Sequence, residues 1–391
     1  MKSARVKALA LLLTATLIAT APISTHAVAV AAAAAAAAPH VPADDNARAA
    51  RMVAELGLIE APAPIREAPQ WRKPRRVIVR EATPDRLAWL RQVAPGVELV
   101  TASSPAQAAA LAKDADAVIG YCSAEILDAG GDIRWIQWYF AGIEGCLASL
   151  GDRSGRILIT NMQKVAGPVM AEHVMAMTLA FARGLHTYVK AQNQGEWRPD
   201  LVPPEQAFSL SGKTLFVAGL GGIGTEVARR ANALGMRVIG TRASDRPAPP
   251  FVSRVGPPGE TIAMAREADV IVNALPLTEE TRGLFNAQVF ARMKPAAYFI
   301  NVGRGATVVT ADLVEALQNK RIAGAGLDVT EPEPLPAGHP LWKMTNVIIT
   351  PHVSSVADVD LESRWLLMRE NLRRYVAGEK MLSVVDPTRG Y

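Results

Sequence analysis

Cysteine is almost absent: the 391 residues include two, Cys122 and Cys146. They fit no zinc, haem or dithiol spacing, which excludes a cysteine-held metal or a redox-motif enzyme. The pair reads as two buried thiols, a disulfide becoming relevant only in an oxidising compartment. Net charge is also scarce, at +5. Three of the 42 basic residues, Lys2, Arg5 and Lys7, lie in an N-terminal leader, and the remaining 39 face 37 acidic ones. That balance gives no footing for nucleic acid. The basic run Arg72, Lys73, Arg75, Arg76 reads as a solvated segment ahead of a strand. No internal repeat of solenoid period is present. What is present is apolar residue, 50% of the chain, and length enough for two domains with sizeable cores.

Residues 1–7 carry three positive charges and no acid, residues 8–21 are an apolar run, and Thr25-His26-Ala27 fits a cleavage site. This is the three-part pattern of a signal peptide, 1–27, and the expectation is an exported, periplasmic protein. The run is short against the roughly 20 residues of a membrane span. Ala27 to Ala38 is apolar too, which leaves an uncleaved anchor open, and a start at Met52 would make the protein cytoplasmic. The leader has no Arg-Arg pair, so export of a folded protein with bound cofactor is not signalled. Residues 28–74, an alanine tract followed by a Pro-rich stretch, read as a flexible spacer.

From Val77 short apolar runs alternate with Ala- and Leu-rich helical segments, the pattern of an α/β fold with doubly wound parallel sheets. Strands are expected at 77–79, 97–100, 117–120 and 157–159, then a long helix over 169–192. A second series begins with a strand at 214–218 and continues at 237–240, 270–274, 297–301, 324–329 and 347–350. The reading is a flavodoxin-like substrate domain, 75–168 and 355–391, with a Rossmann domain, 169–354, inserted into it. A C-terminal helix over 358–377 returns to the first domain.

After the strand 214–218 comes Gly219-Leu220-Gly221-Gly222-Ile223-Gly224, opening a helix. A GxGxxG in that setting predicts a dinucleotide site. Gly219 allows the tight turn, Gly221 the approach of a pyrophosphate, and Gly224 close packing of helix on strand. Gly222 and Ile223 bring helix-terminal N–H groups to the phosphates. The next strand ends Thr241-Arg242-Ala243-Ser244-Asp245-Arg246. Arg242 stands where an NAD site carries an acid, and a guanidinium suits a 2′-phosphate. NADP is therefore favoured over NAD, with Ser244 and Arg246 as further contacts.

Three more segments make a resemblance specific: Asn301-Val302-Gly303-Arg304-Gly305, Gly326-Leu327-Asp328-Val329 through Glu333-Pro334, and Thr350-Pro351-His352. Leu275-Pro276-Leu277-Thr278 adds to them. Over roughly residues 75 to 391 the chain resembles the D-isomer-specific 2-hydroxyacid dehydrogenases, in particular those reducing glyoxylate or hydroxypyruvate. The resemblance implies that Arg304 holds the substrate carboxylate and carbonyl and that His352 is the general acid. It also implies that Glu333 is the anion that orients His352 and stabilises its charged form. Glu331 is a rival by eye but out of register. Ala141 and Gly142 would give backbone N–H groups to the substrate carboxylate. Leu275, Pro276, Val302 and Gly303 would line the cofactor, and Asp328 would accept from its carboxamide. Trp135, Trp138, Tyr139 and Phe140 read as core more than pocket wall, and Tyr121 could face the cleft. Val353-Ser354-Ser355, where many relatives have a glycine, puts the substrate's identity in doubt. A homodimer is implied, packed through the helix from Val169 and the region of Trp197. A formate-dehydrogenase-like enzyme and a catalytically silent dinucleotide sensor are the alternatives. The acid beside the histidine argues against the first, and the full set of three argues against the second.

Overall fold

Five short runs pair side by side in the first half of the chain: β1 (Arg76–Arg80), β2 (Glu98–Ala102), β3 (Ala117–Ile119), β4 (Trp135–Gln137) and β5 (Leu158–Thr160). The structure, a computed structural model, describes residues 44–387 except Ser154 and Glu205. The expected leader thus lies outside the described residues, as does the alanine tract. The five strands are parallel, in the order β2-β1-β3-β4-β5. Val77, Ile78 and Val79 are fully buried because helices cover both faces of the sheet. The returning helices are set by their first residues. Thr83, Ser104 and Ser123 each accept an N–H from three residues on, capping Pro84–Arg91, Pro105–Leu111 and Ala124–Ala129.

The second sheet has seven strands: β6 (Thr214–Ala218), β7 (Arg237–Thr241), β8 (Arg254–Gly256), β9 (Val270–Asn273), β10 (Tyr298–Asn301), β11 (Gly324–Leu327) and β12 (Val347–Ile349). Their order, β12-β11-β10-β9-β6-β7-β8, is parallel throughout. The chain enters at β6, winds outward to β8, then crosses to β9 on the other side. The loops after β6 and β9 therefore part at a topological switch point, where open sheets bind ligands. The C-terminal helix Asp358–Ala377 goes back to the first sheet, and its Tyr375 stacks on Trp135 at 4.7 Å between ring centroids.

Four expectations are corrected. Part of the expected spacer is folded: Asp45–Leu56 is a helix lying on the C-terminal helix, with Ala49 and Met52 buried. Trp89 donates to Asp45 at 2.6 Å and Trp71 to the Tyr375 carbonyl at 3.0 Å, so apolar and hydrogen-bonded contacts hold this arm down. The basic run is not simply solvated, because Arg72 donates to the buried Asp116 at 2.6 Å. The helix expected over 169–192 is two, Gly167–Ala182 and Leu185–Asn193, separated by Gly184 with φ 66°. Finally, the two cysteines are joined: Cys122 and Cys146 have Cα atoms 5.2 Å apart and form a disulfide. That spacing lies within the usual range of such bonds.

Candidate functional site

The helix Gly222–Ala233 begins immediately after the β6 turn. A Cβ on Gly224 would stand 2.1 Å from the Gly219 carbonyl oxygen, so only glycine lets this helix pack so close to its strand. At Gly221 a Cβ would meet nothing within 4 Å, which leaves an open approach to the helix N-terminus. The turn is fixed from β7: the N–H groups of Gly219 and Leu220 both donate to the Thr241 carbonyl, at 3.2 and 2.9 Å. Beyond Thr241, Arg242 donates through Nε to the Ser244 carbonyl at 3.1 Å and through Nη2 to the Arg246 carbonyl. Its charge is thus met by neutral oxygens. Burial and the neighbouring Arg246 both pull its pKa below the usual guanidinium value, an effect Asp245 only partly offsets. An open helix terminus beside two clustered guanidinium groups fits a dinucleotide that carries an extra phosphate.

The ends of β9 and β10 hold the next part of the site through a buried amide pair. Asn273 Nδ2 donates to Asn301 Oδ1 at 2.9 Å and to Thr307 Oγ1 at 2.6 Å. Each amide oxygen then takes a loop N–H: Leu275 N on Asn273 at 3.2 Å and Gly303 N on Asn301 at 3.1 Å. Asn301 Nδ2 donates to the Arg304 carbonyl at 3.2 Å. The network therefore aligns Leu275, the adjoining Pro276, Val302, Gly303 and the backbone of Arg304. Neither Asn273 nor Thr307 stands out in the sequence, because an amide or hydroxyl at a strand end has no spacing signature.

Arg304 reaches across to the first lobe. A Cβ on Gly142 would lie 1.7 Å from its Nη2, so the guanidinium rests directly on that glycine. Glu144 accepts from Arg304 Nε at 3.1 Å and lies 3.5 Å from Nη2. This partner is absent from the sequence reading, since a glutamate opening a helix is ordinary on its own. The loop at 140–142 is turned by its carbonyls. Phe140 O accepts from Met162 N at 3.2 Å, Ala141 O from Asn161 Nδ2 at 2.6 Å, and Gly142 O from Trp138 Nε1 at 2.8 Å. In a trans peptide the N–H points opposite the preceding C=O. The N–H groups of Ala141 and Gly142 are thus directed away from those donors. Trp135 is core, and Tyr121 is buried with its hydroxyl donating to the Ala102 carbonyl at 3.3 Å, not a cleft residue. Phe140 is the exposed aromatic of the group.

His352 follows β12 with φ 55° and is held through its N–H on the Asp328 carbonyl at 2.8 Å. Its Nδ1 lies 2.6 Å from Glu333 Oε1. A carboxylate there requires the hydrogen on Nδ1, so Nε2 is the atom left for a substrate carbonyl. Both side chains are half-exposed, and such a pair contributes less than about 1 kcal/mol to folding; its consequence is orientation. Glu331 is not the partner, its carbonyl instead accepting from Thr310 Oγ1 at 2.7 Å. Asp328 is buried and accepts from Thr350 Oγ1 at 2.6 Å, Val353 N at 2.9 Å and Ser354 N at 3.1 Å. It therefore fixes the loop that carries His352.

Known proteins resemble this chain in sequence and fold. The profile of the D-isomer specific 2-hydroxyacid dehydrogenase NAD binding domain matches residues 175–354. The chain is 33% identical over 276 residues to a glyoxylate reductase of Pyrococcus furiosus, covering 68% of this chain and 81% of that one. A solved D-isomer specific 2-hydroxyacid dehydrogenase from Xanthobacter autotrophicus, in complex with NADPH and MES, is 29% identical with a TM-score of 0.69, covering 81% of this chain and 99% of that one. An NADPH-dependent glyoxylate/hydroxypyruvate reductase from Sinorhizobium meliloti, in complex with NADP and sulfate, is 30% identical with a TM-score of 0.67, at 81% and 99% coverage. With a switch-point glycine turn on one sheet, an arginine facing a backbone loop across the lobes, and a histidine set by a glutamate, the chain belongs to the D-isomer specific 2-hydroxyacid dehydrogenase family of NAD(P)-dependent oxidoreductases.

Proposed function

We propose that the protein reduces a small 2-oxo acid of the glyoxylate or hydroxypyruvate type with NADPH. The observation that carries this is the pair of His352 Nδ1 and Glu333 Oε1 at 2.6 Å, on the same molecule as an Arg304 that rests on Gly142. A nicotinamide held there would supply the hydride to the carbonyl carbon. Arg304 and the N–H groups of Ala141 and Gly142 would hold the carboxylate and align the carbonyl. His352 Nε2 would give its proton to the carbonyl oxygen as negative charge develops there, yielding the 2-hydroxy acid, and Glu333 would hold the ring in place through Nδ1. Arg242, Ser244 and Arg246 favour the 2′-phosphate of NADPH over the bare ribose of NADH. The NADP-bound relatives from Sinorhizobium meliloti and Xanthobacter autotrophicus support the same choice.

The experiment is absorbance at 340 nm with NADPH or NADH and a panel of 2-oxo acids. Turnover with glyoxylate or hydroxypyruvate and NADPH is expected. His352→Ala should lower kcat by about 10²–10⁴-fold with NADPH affinity unchanged. A dead wild type, or a variant that loses cofactor binding, contradicts the reading.

Two further readings belong with this one. Export is supported by the leader pattern of residues 1–27 and by the Cys122–Cys146 disulfide, and N-terminal sequencing of the native protein tests it. A homodimer is supported by Trp197, 95% exposed, and by Leu185 and Val189, exposed one helical turn apart. A monomeric mass by light scattering would count against it.

A further inference from the structure

Lys164 stands in the link between the lobes, three residues before the helix Gly167–Ala182, and the chemistry above makes no use of it. Its φ is 71°, a left-handed conformation uncommon for a lysine. The strain has a visible consequence. A Cβ on Gly222 would lie 2.7 Å from Lys164 Cγ and 3.0 Å from its Cα. The lysine therefore lies flat against the first residue of the helix that follows the glycine turn. The segment is tightly tied. Gly167 N donates to Lys164 O at 3.0 Å and Met162 N to the Phe140 carbonyl at 3.2 Å. Asn161, three residues before, holds the Ala141 carbonyl.

The ammonium has only a weak match for its charge. It donates to the carbonyl oxygen of Gly57, just past the N-terminal arm helix, and among the described residues no carboxylate pairs with it. Burial holds its pKa below the usual lysine value, and the neighbouring Arg246 lowers it further. Two positive features thus meet here: the N-terminus of the helix that follows the glycine turn and a half-buried ammonium.

We propose that Lys164 is a cofactor ligand supplied by the link between the lobes, its ammonium bonding the pyrophosphate that lies on the N-terminus of the helix Gly222–Ala233. This rests on the dinucleotide reading of the glycine turn and adds a residue to it. The pyrophosphate is the group assigned, because Lys164 leans on Gly222, whereas the cations for a 2′-phosphate follow β7. Binding would draw the ammonium from the Gly57 carbonyl, so the cofactor and the N-terminal arm share one side chain.

The test is fluorescence titration of NADPH and NADH into wild type, Lys164→Asn and Lys164→Arg. Asparagine tolerates the left-handed backbone. K164N should raise Kd for both dinucleotides about tenfold, the scale of one charge-assisted hydrogen bond, and K164R should retain most of the affinity. The dissociation constant of 2′,5′-ADP, which has no pyrophosphate, obtained from its competition with NADPH, should be equal in all three proteins. A second measurement needs no variant: NADPH and NADH should protect Lys164 of wild type from amine acetylation read by mass spectrometry, and 2′,5′-ADP should not. Unchanged affinities, a loss confined to NADPH, or an unprotected Lys164 overturns the assignment. If wild type binds neither dinucleotide, the dinucleotide reading itself falls and the assignment falls with it.

Discussion

A guanidinium has five N–H groups, and in Arg304 three are already committed. Nε and Nη2 face Glu144, and Nη1 donates to the Gly303 carbonyl at 2.9 Å. One N–H on each Nη remains, the forked end that suits a carboxylate. Glu144 is therefore a positioning residue: it takes the side edge of Arg304 and leaves the end for substrate. Glu144→Ala should raise KM for the 2-oxo acid about tenfold, the effect of freeing a charge-assisted contact, while NADPH affinity stays the same. An unchanged KM would mean that the backbone alone holds Arg304. At the cofactor end, Arg242→Asp should weaken NADPH and improve NADH, because a carboxylate repels the 2′-phosphate and accepts from ribose hydroxyls. A retained NADPH preference would move the 2′-phosphate elsewhere. Arg304, Glu333 and His352 are legible in sequence because each sits inside a short motif at fixed intervals. Glu144, Asn273 and Lys164 are not, because their roles depend on what the fold brings opposite them.

Among elements, the strands of regular apolar composition were the readable ones: β1, β6, β9 and β10 lie where alternation with helical segments puts them. β4 is built from Trp135-Ile136-Gln137 and escapes that pattern, since its glutamine is buried and bonded to Thr160 Oγ1 at 2.8 Å. The arm Asp45–Leu56 escapes it too: a short helix gains most of its stability from what it docks on, and its partner is over 300 residues away. Asp116 shows how such distant pieces are joined. Its carboxylate accepts from Arg75 N at 2.7 Å, Arg76 N at 3.1 Å and Arg72 Nη2 at 2.6 Å, which pins the start of β1. Burial would raise its pKa, but the two backbone N–H groups and the guanidinium outweigh that and hold it below the usual value. A depressed carboxylate stabilises the fold fully above the unfolded pKa of about 3.9 and loses that contribution as pH falls through the lower folded value. Asp116→Asn should thus cost about 1–3 kcal/mol near neutrality, and the gap to wild type should close in melts below about pH 4. A gap independent of pH would assign the loss to packing instead.

At the scale of the whole molecule, the disulfide ties together two segments of the first lobe. Cys146 is in the helix Glu144–Leu150, two residues beyond Glu144, and Cys122 lies in the loop after β3. The bond thus links the connection after β3 to the helix that follows the Ala141–Gly142 loop. Cys146 is fully buried, packed with Ile143 and Leu150, so its thiol form would keep its apolar contacts but lose the tie. Closing a loop with a sequence separation of 24 residues stabilises by roughly 3 kcal/mol in the chain-entropy account. Two effects should separate on reduction. Tm should fall by several degrees, as expected for a loss of that size in a chain of this length. KM for the 2-oxo acid should also rise while NADPH Kd stays put, because the glycine turn is on the other lobe. Dithiothreitol treatment and the Cys122→Ser, Cys146→Ser double variant should give the same pair of changes. Native protein that titrates two free thiols under non-reducing conditions would remove the bond, and a KM unmoved by its loss would leave it a purely structural staple.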